Sequence, residues 1–162
     1  VKKLKINKEG LRIIKSFEGL RTTAYLCPSG DPTIGYGHTK NVRLGDTITK
    51  DEAETLLMLD LKAFEKHVNE VNEKYNYNFN INEFSALVSF AFNVGSIWQL
   101  TNYGRRNKLE ISDKIMEYNK GGGIVLAGLV RRRMEERNLF LKPVSSGFIE
   151  DDLQSLNHKF DK

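Results

Sequence analysis

The chain has one cysteine, Cys27, so no internal disulfide can form and the fold does not depend on an oxidising compartment. It has no long apolar run; every such stretch is broken by charge, which excludes a bilayer-spanning helix. Its first residues, VKKLKINKEG, lack the apolar stretch of a signal peptide. The three histidines are scattered without metal-ligand spacing, so no metal and no cofactor are expected. No zinc spacing, RNA-binding aromatic signature or helix-turn-helix pattern is present, so nucleic acid is not an expected partner. There is no internal repeat. What remains is a chain of 162 residues, 40% apolar and 28% charged, the profile of one soluble globular domain with a core of its own. Its net charge of +4 suits attraction to an anionic polymer.

Helix signals dominate. Asn7 is placed to cap a first helix, with Ile6 stapled against Leu11 and a stripe of Leu11, Ile14 and Phe17. Glu18 then ends that helix beside Gly19, a terminator, with its stem on a rigid element and its carboxyl facing outward. From Thr22 to Leu44, strand formers alternate with Pro28, Gly30, Pro32, Gly35 and Gly37, which predicts a small antiparallel sheet with tight turns. Thr49 and Glu52 form a capping-box pair opening a long helix to about Lys74, with Leu56, Leu57, Leu61, Phe64, Val68 and Val71 on its apolar face. Asn80 and Glu83 cap the next helix, whose run Phe84–Val94 is apolar on most sides and predicts a central buried helix. Shorter helices are expected around Trp98–Tyr103 and Ile111–Tyr118. Gly121 to Gly123 break the chain. A last helix runs from about Leu129 to Leu141, and Pro143 ends it. Residues 1–143 thus form one unit, and 144–162 an appended tail of weak helical character.

The segment EGLRTTAYLCPSGDPTIGYGHT carries the chemistry. Glu18 is followed nine residues later by Cys27 and six further by Thr33. This layout resembles the phage-type lysozymes of glycoside hydrolase family 24, whose pattern is Glu, Asp and Thr at those spacings. Cys27 stands where Asp is usual. ITKDEAE at Ile48–Glu54, ALVSFAFNVG at Ala86–Gly95 and GLVRRR at Gly128–Arg133 resemble further family segments in family order. The resemblance spans about residues 7–141. It implies an α+β, mostly helical, lysozyme-like fold: a small β-rich lobe and a larger helical lobe joined by the long helix. It also implies a monomeric bacteriolytic muramidase that hydrolyses the β-1,4 bond between N-acetylmuramic acid and N-acetylglucosamine in peptidoglycan. Such a phage enzyme would be made in the host cytoplasm and reach the wall after holin or lysis release, without membrane insertion. Two alternatives stand beside it: a lytic transglycosylase, which uses a single Glu, and a glycan-binding module that has lost its chemistry.

Glycosidic cleavage needs an acid for the departing oxygen and a second group that activates water or attacks the sugar. Glu18 is the acid. Cys27 has three open roles: a thiolate base, a nucleophile, or a small polar bystander. Thr33 is the residue to place a water or sugar hydroxyl. Asp31, on the same turn, competes to supply the missing carboxylate. Candidates for holding the glycan are Asp31, Tyr36, Gly37, Asn93 and Arg131; the resemblance implies that Arg131 approaches Glu18 and that Asn93 meets a sugar N-acetyl group, although Asn93 also suits a helix end. His38 is expected to pair structurally with Asp60 on the long helix rather than to act in catalysis.

Overall fold

The computed structural model describes residues 2–144. All but the first residue of the expected tail lies outside them. Helix α1 spans Lys8–Glu18; Asn7 sits in extended backbone before it, and its side chain accepts from the Gly10 amide at 3.0 Å. Ile6, Ile13 and Ile14 are buried, while Leu11 and Phe17, expected on the stripe, are half-buried at its edge. Gly10 marks the close approach of α1 to the central helix: a Cβ there would lie 2.8 Å from Ile6 Cγ1 and 2.9 Å from the Ser85 Cβ.

Strands β1 (Arg21–Leu26) and β2 (Pro32–Gly35) pair antiparallel, with Tyr25 opposite Thr33. The sheet is smaller than the Thr22–Leu44 span predicts. Gly35, Gly37 and Asn41 adopt left-handed φ of 67°, 83° and 57°, which turns the chain out of the ladder. Single bridges, Ile34 to His38 and Thr23 to Thr47, complete the lobe.

Helix α2 (Lys50–Lys74) leaves this lobe behind the expected capping box of Thr49 and Glu52. Its buried face is Ala53, Leu57, Leu61, Val68 and Val71; Leu56 and Phe64 are half-buried. His38 Nδ1 lies 2.8 Å from Asp60 Oδ2, and its Nε2 lies 2.8 Å from the Lys40 carbonyl. Sheet and helix are tied as expected, and a ring carrying both protons satisfies both oxygens.

Helix α3 (Ile81–Val94), capped by Asn80 and Glu83, is buried from Asn82 to Ala91. Helices α1, α2 and the last helix pack around it. Leu87 and Phe90 are fully buried. Leu87→Ala is expected to cost about 2–5 kcal/mol, because a cavity replaces contacts on every side. An unmoved urea midpoint in the purified variant would place the core elsewhere.

The helix expected at Trp98–Tyr103 is a run of turns. Asn102, Tyr103 and Gly104 have φ of 49°, 54° and 83° in succession, which no right-handed helix accommodates. Helix α4 spans Lys108–Ile115, opening earlier than expected because Asn107 and Glu110 form a third capping box. The glycine break is a two-residue hairpin, β3 (Lys120–Gly121) with β4 (Ile124–Val125), turning on Gly122 and Gly123. Helix α5 (Ala127–Leu141) packs on α1, α3 and α4. Among the described residues no helix is long and apolar enough to cross a membrane.

His67 on α2 accepts from the Ile97 amide at 2.9 Å through Nε2, so it is neutral in the fold. Burial pushes its ring below the usual histidine range, and Glu70 offsets part of this. A depressed folded value favours proton uptake by the unfolded chain. The stabilisation is therefore complete above the unfolded value near 6.5 and is lost as pH falls below it. His67→Gln, whose amide oxygen can accept from Ile97, is expected to flatten the decline in urea midpoint between about pH 7 and pH 5. An unchanged slope would remove His67 as its source.

Candidate active site

Glu18 is the last residue of α1, where Gly19 (φ 74°) ends the helix and donates its amide to the Lys15 carbonyl at 3.0 Å. The side chain is about a quarter exposed, and its Oε2 accepts from Arg132 Nη1 at 2.8 Å. On its other flank lies Gly37. A Cβ there would stand 3.2 Å from Glu18 Oε1, and φ is +83°, so Gly37 allows the sheet lobe to approach the carboxyl. Tyr36, between two glycines with positive φ, turns into the core at 5% exposure, with Lys15 Nζ 5.9 Å from its ring centre. It does not line the Glu18 cavity; it borders a separate groove with Lys8, Lys15 and Lys50.

The Glu18 cavity, about 730 Å³, lies between α1, the end of α3 and α5. Asn93, Leu129, Arg131, Arg132 and Glu135 line it with Glu18. Arg131 is therefore at the cavity, but the arginine on Glu18 is Arg132. One residue along a helix is a rotation of about 100°, which leaves Arg131 exposed and sends Arg132 inward. Asn93 is on the cavity wall with Oδ1 accepting from Arg133 Nη2 at 2.7 Å.

Cys27 and Asp31 on the β1–β2 turn are brought together with Thr33 at the start of β2, outside the cavity lining. The Cys27 amide donates to the Asp31 carbonyl at 3.0 Å, and Gly30 donates back to the Cys27 carbonyl at 2.8 Å, closing the turn. Thr33, buried, donates its hydroxyl to the same Asp31 carbonyl at 2.9 Å. Cys27 Sγ lies 2.9 Å from Ser29 Oγ, and Ser29 lies 3.1 Å from Asp31 Oδ2. The thiol is lowered to about 7, chiefly by the Ser29 hydroxyl and then by the Thr33 hydroxyl and the Asp31 backbone facing the sulfur. Ser29 has one hydrogen and two acceptors. When Cys27 ionises, that hydrogen turns to sulfur and leaves Asp31.

Arg132, Ser29 and a buried acid, Glu136, escape sequence reasoning. Arg132 Nε donates to Glu136 Oε2 at 3.2 Å, and Arg133 Nε lies 2.9 Å from Glu136 Oε1. Burial pushes the Glu136 carboxyl up, while both guanidiniums and the Ser89 hydroxyl, donating at 2.6 Å, oppose this. The four-residue spacing of Arg132 and Glu136 was the available signal. Among the described residues no cluster of metal-binding side chains exists.

Residues 15–136 match the Phage lysozyme family. The chain is 40% identical over 145 residues to the endolysin of Lactococcus phage c2, covering 88% of this chain and 63% of that protein. With the endolysin of Bacillus phage B103 it shares 39% identity over 148 residues, 85% of this chain and 54% of the relative. The chain thus spans less than two thirds of these two relatives. Among solved structures, the muramidase domain of SpmX from Asticaccaulis excentricus is 38% identical with a TM-score of 0.73, covering 86% of this chain and 99% of that one. The endolysin of Escherichia coli O157:H7 phage FAHEc1 is 32% identical with a TM-score of 0.73, covering 86% and 94%. The fold is accordingly lysozyme-like, α+β with a helical majority, and by the family match over most of its length the chain belongs to the phage lysozymes.

Proposed function

We propose that this chain is a bacteriolytic muramidase, cleaving the β-1,4 bond between N-acetylmuramic acid and N-acetylglucosamine during phage-mediated host lysis. The observation that carries the reading is Glu18, a helix-end carboxyl fixed by Arg132 at 2.8 Å on the wall of an open cavity. Glu18 delivers its proton to the departing glycosidic oxygen. The Cys27 thiolate takes a proton from water, whose hydroxyl oxygen bonds to the sugar carbon as the glycosidic bond breaks. Thr33 holds the thiolate and that water in register. Arg131 and Asn93 contact the glycan. Residues 1–143 form the catalytic unit. It works as a monomer without a cofactor, made in the host cytoplasm and admitted to the wall by a holin or by lysis.

A second reading, a lytic transglycosylase, is favoured by one observation: Cys27 occupies the position of the expected Asp, leaving Glu18 the only carboxylate of the matched motif. It would use the muramic acid's own hydroxyl and close an anhydro sugar. Mass spectrometry of fragments from purified peptidoglycan separates the two. Hydrolysis gives fragments carrying an added water and a reducing muramic acid end. Anhydro ends would overturn the hydrolytic reading, and no fragments at all would leave only glycan binding.

A further inference from the structure

Glu136 is fully buried and does not line the Glu18 cavity, yet its carboxylate lies between Arg132, which does, and Arg133 behind it. Oε2 accepts from Arg132 Nε at 3.2 Å and from Ser89 Oγ at 2.6 Å; Oε1 lies 2.9 Å from Arg133 Nε. The far end of each arginine holds a cavity residue. Arg132 Nη1 donates to Glu18 at 2.8 Å, and Arg133 Nη2 donates to Asn93 Oδ1 at 2.7 Å. Arg132 Nη2 is also tied to the Ser89 carbonyl at 3.1 Å, so this guanidinium is fixed on three sides.

We propose that Glu136 is a positioning residue that sets the acid and the glycan-holding amide together, through Arg132 to Glu18 and through Arg133 to Asn93. This rests on the muramidase reading for its consequence, but not for its geometry. Two adjacent guanidiniums on one helix face repel each other; a carboxylate between them offsets that repulsion, hydrogen-bonded to the Arg132 Nε–H and paired by charge with Arg133. Glu136 thus offsets part of the charge of two arginines that are themselves buried. With Oδ1 of Asn93 taken by Arg133, that side chain offers its N–H groups to a ligand, which suits a carbonyl acceptor such as an N-acetyl oxygen. A hydrophobic side chain at 136 would fill the space but take the shared charge partner from both arginines.

The test is Glu136→Gln in the full chain, which keeps size and an acceptor but loses the charge. Two signals are read by NMR without substrate: the Arg132 Nε–H resonance and the Asn93 side-chain amide. Both are expected to move while the rest of the spectrum retains the parent dispersion. On soluble wall fragments, kcat is expected to fall about tenfold and KM to rise less than about threefold, because a displaced acid slows the chemistry more than it weakens binding. If either NMR signal stays at its parent position in the folded variant, the proposal is overturned. Should the amide variant not fold, Glu136→Asp keeps the charge, shortens the arm by one methylene, and is read in the same two signals by the same criterion. A parent chain inactive on the wall would sink the muramidase reading alone, since the NMR comparison needs no turnover.

Discussion

Glu18→Gln is expected to reduce wall clearing by about a hundredfold or more, the range over which a positioned acid contributes. The amide preserves shape and an acceptor for Arg132 Nη1, so the contact now at 2.8 Å survives with less charge assistance. Only the deliverable proton is lost. Thermal and urea midpoints are expected to shift little, because Glu18 is partly exposed and ends its helix rather than filling the core. That combination separates chemistry from folding. A folded amide variant clearing walls at more than a few per cent of the parent rate, against the expected hundredfold loss, would remove Glu18 from the acid role.

Cys27→Ser is expected to lose most activity as well. The substitution keeps size close and the turn intact, since the turn is closed by backbone bonds from Cys27 to Asp31 and from Gly30 to Cys27. It removes a group that ionises near neutrality and replaces it with one that does not. Cys27→Asp is expected to restore an ordinary carboxylate base, and thiol reagents are expected to inhibit the parent, because Cys27 is accessible on its turn. A serine variant that clears walls at the parent rate would make the thiol a bystander. Asp31, exposed on the same turn and already bonded to Ser29, would then be the first residue to mutate.

The capping pairs at Thr49–Glu52 and Asn80–Glu83 were readable because the signature is local: a side chain and an amide three residues on. The same logic applied at Asn107–Glu110, where the apolar pattern alone misplaced the start of α4. At Trp98–Tyr103 the expected helix is replaced by turns because Asn102 and Tyr103 take left-handed backbone, and a non-glycine φ of that sign leaves little trace in sequence. The motif spacing of Glu18, Cys27 and Thr33 was legible. Its electrostatics were not, because they depend on where the Ser29 hydroxyl falls once the turn closes. The one-residue error between Arg131 and Arg132 has a physical source. The inward face of α5 is built partly from Arg132, Arg133 and Glu136, which neutralise one another, so apolar periodicity does not reveal the phase of that helix.

The pH dependence of kcat/KM tests the central claim most directly, namely that Glu18 works with a thiolate in the place of the usual second carboxylate. The thiol's lowered value means that the base form is lost as pH falls through about 7. One limb of the parent's profile is therefore expected to have its midpoint near that value, and Cys27→Asp is expected to move that limb toward the carboxylate range near 4. Superimposable profiles in the parent and the Asp variant, with no limb moved from about 7, would contradict the account.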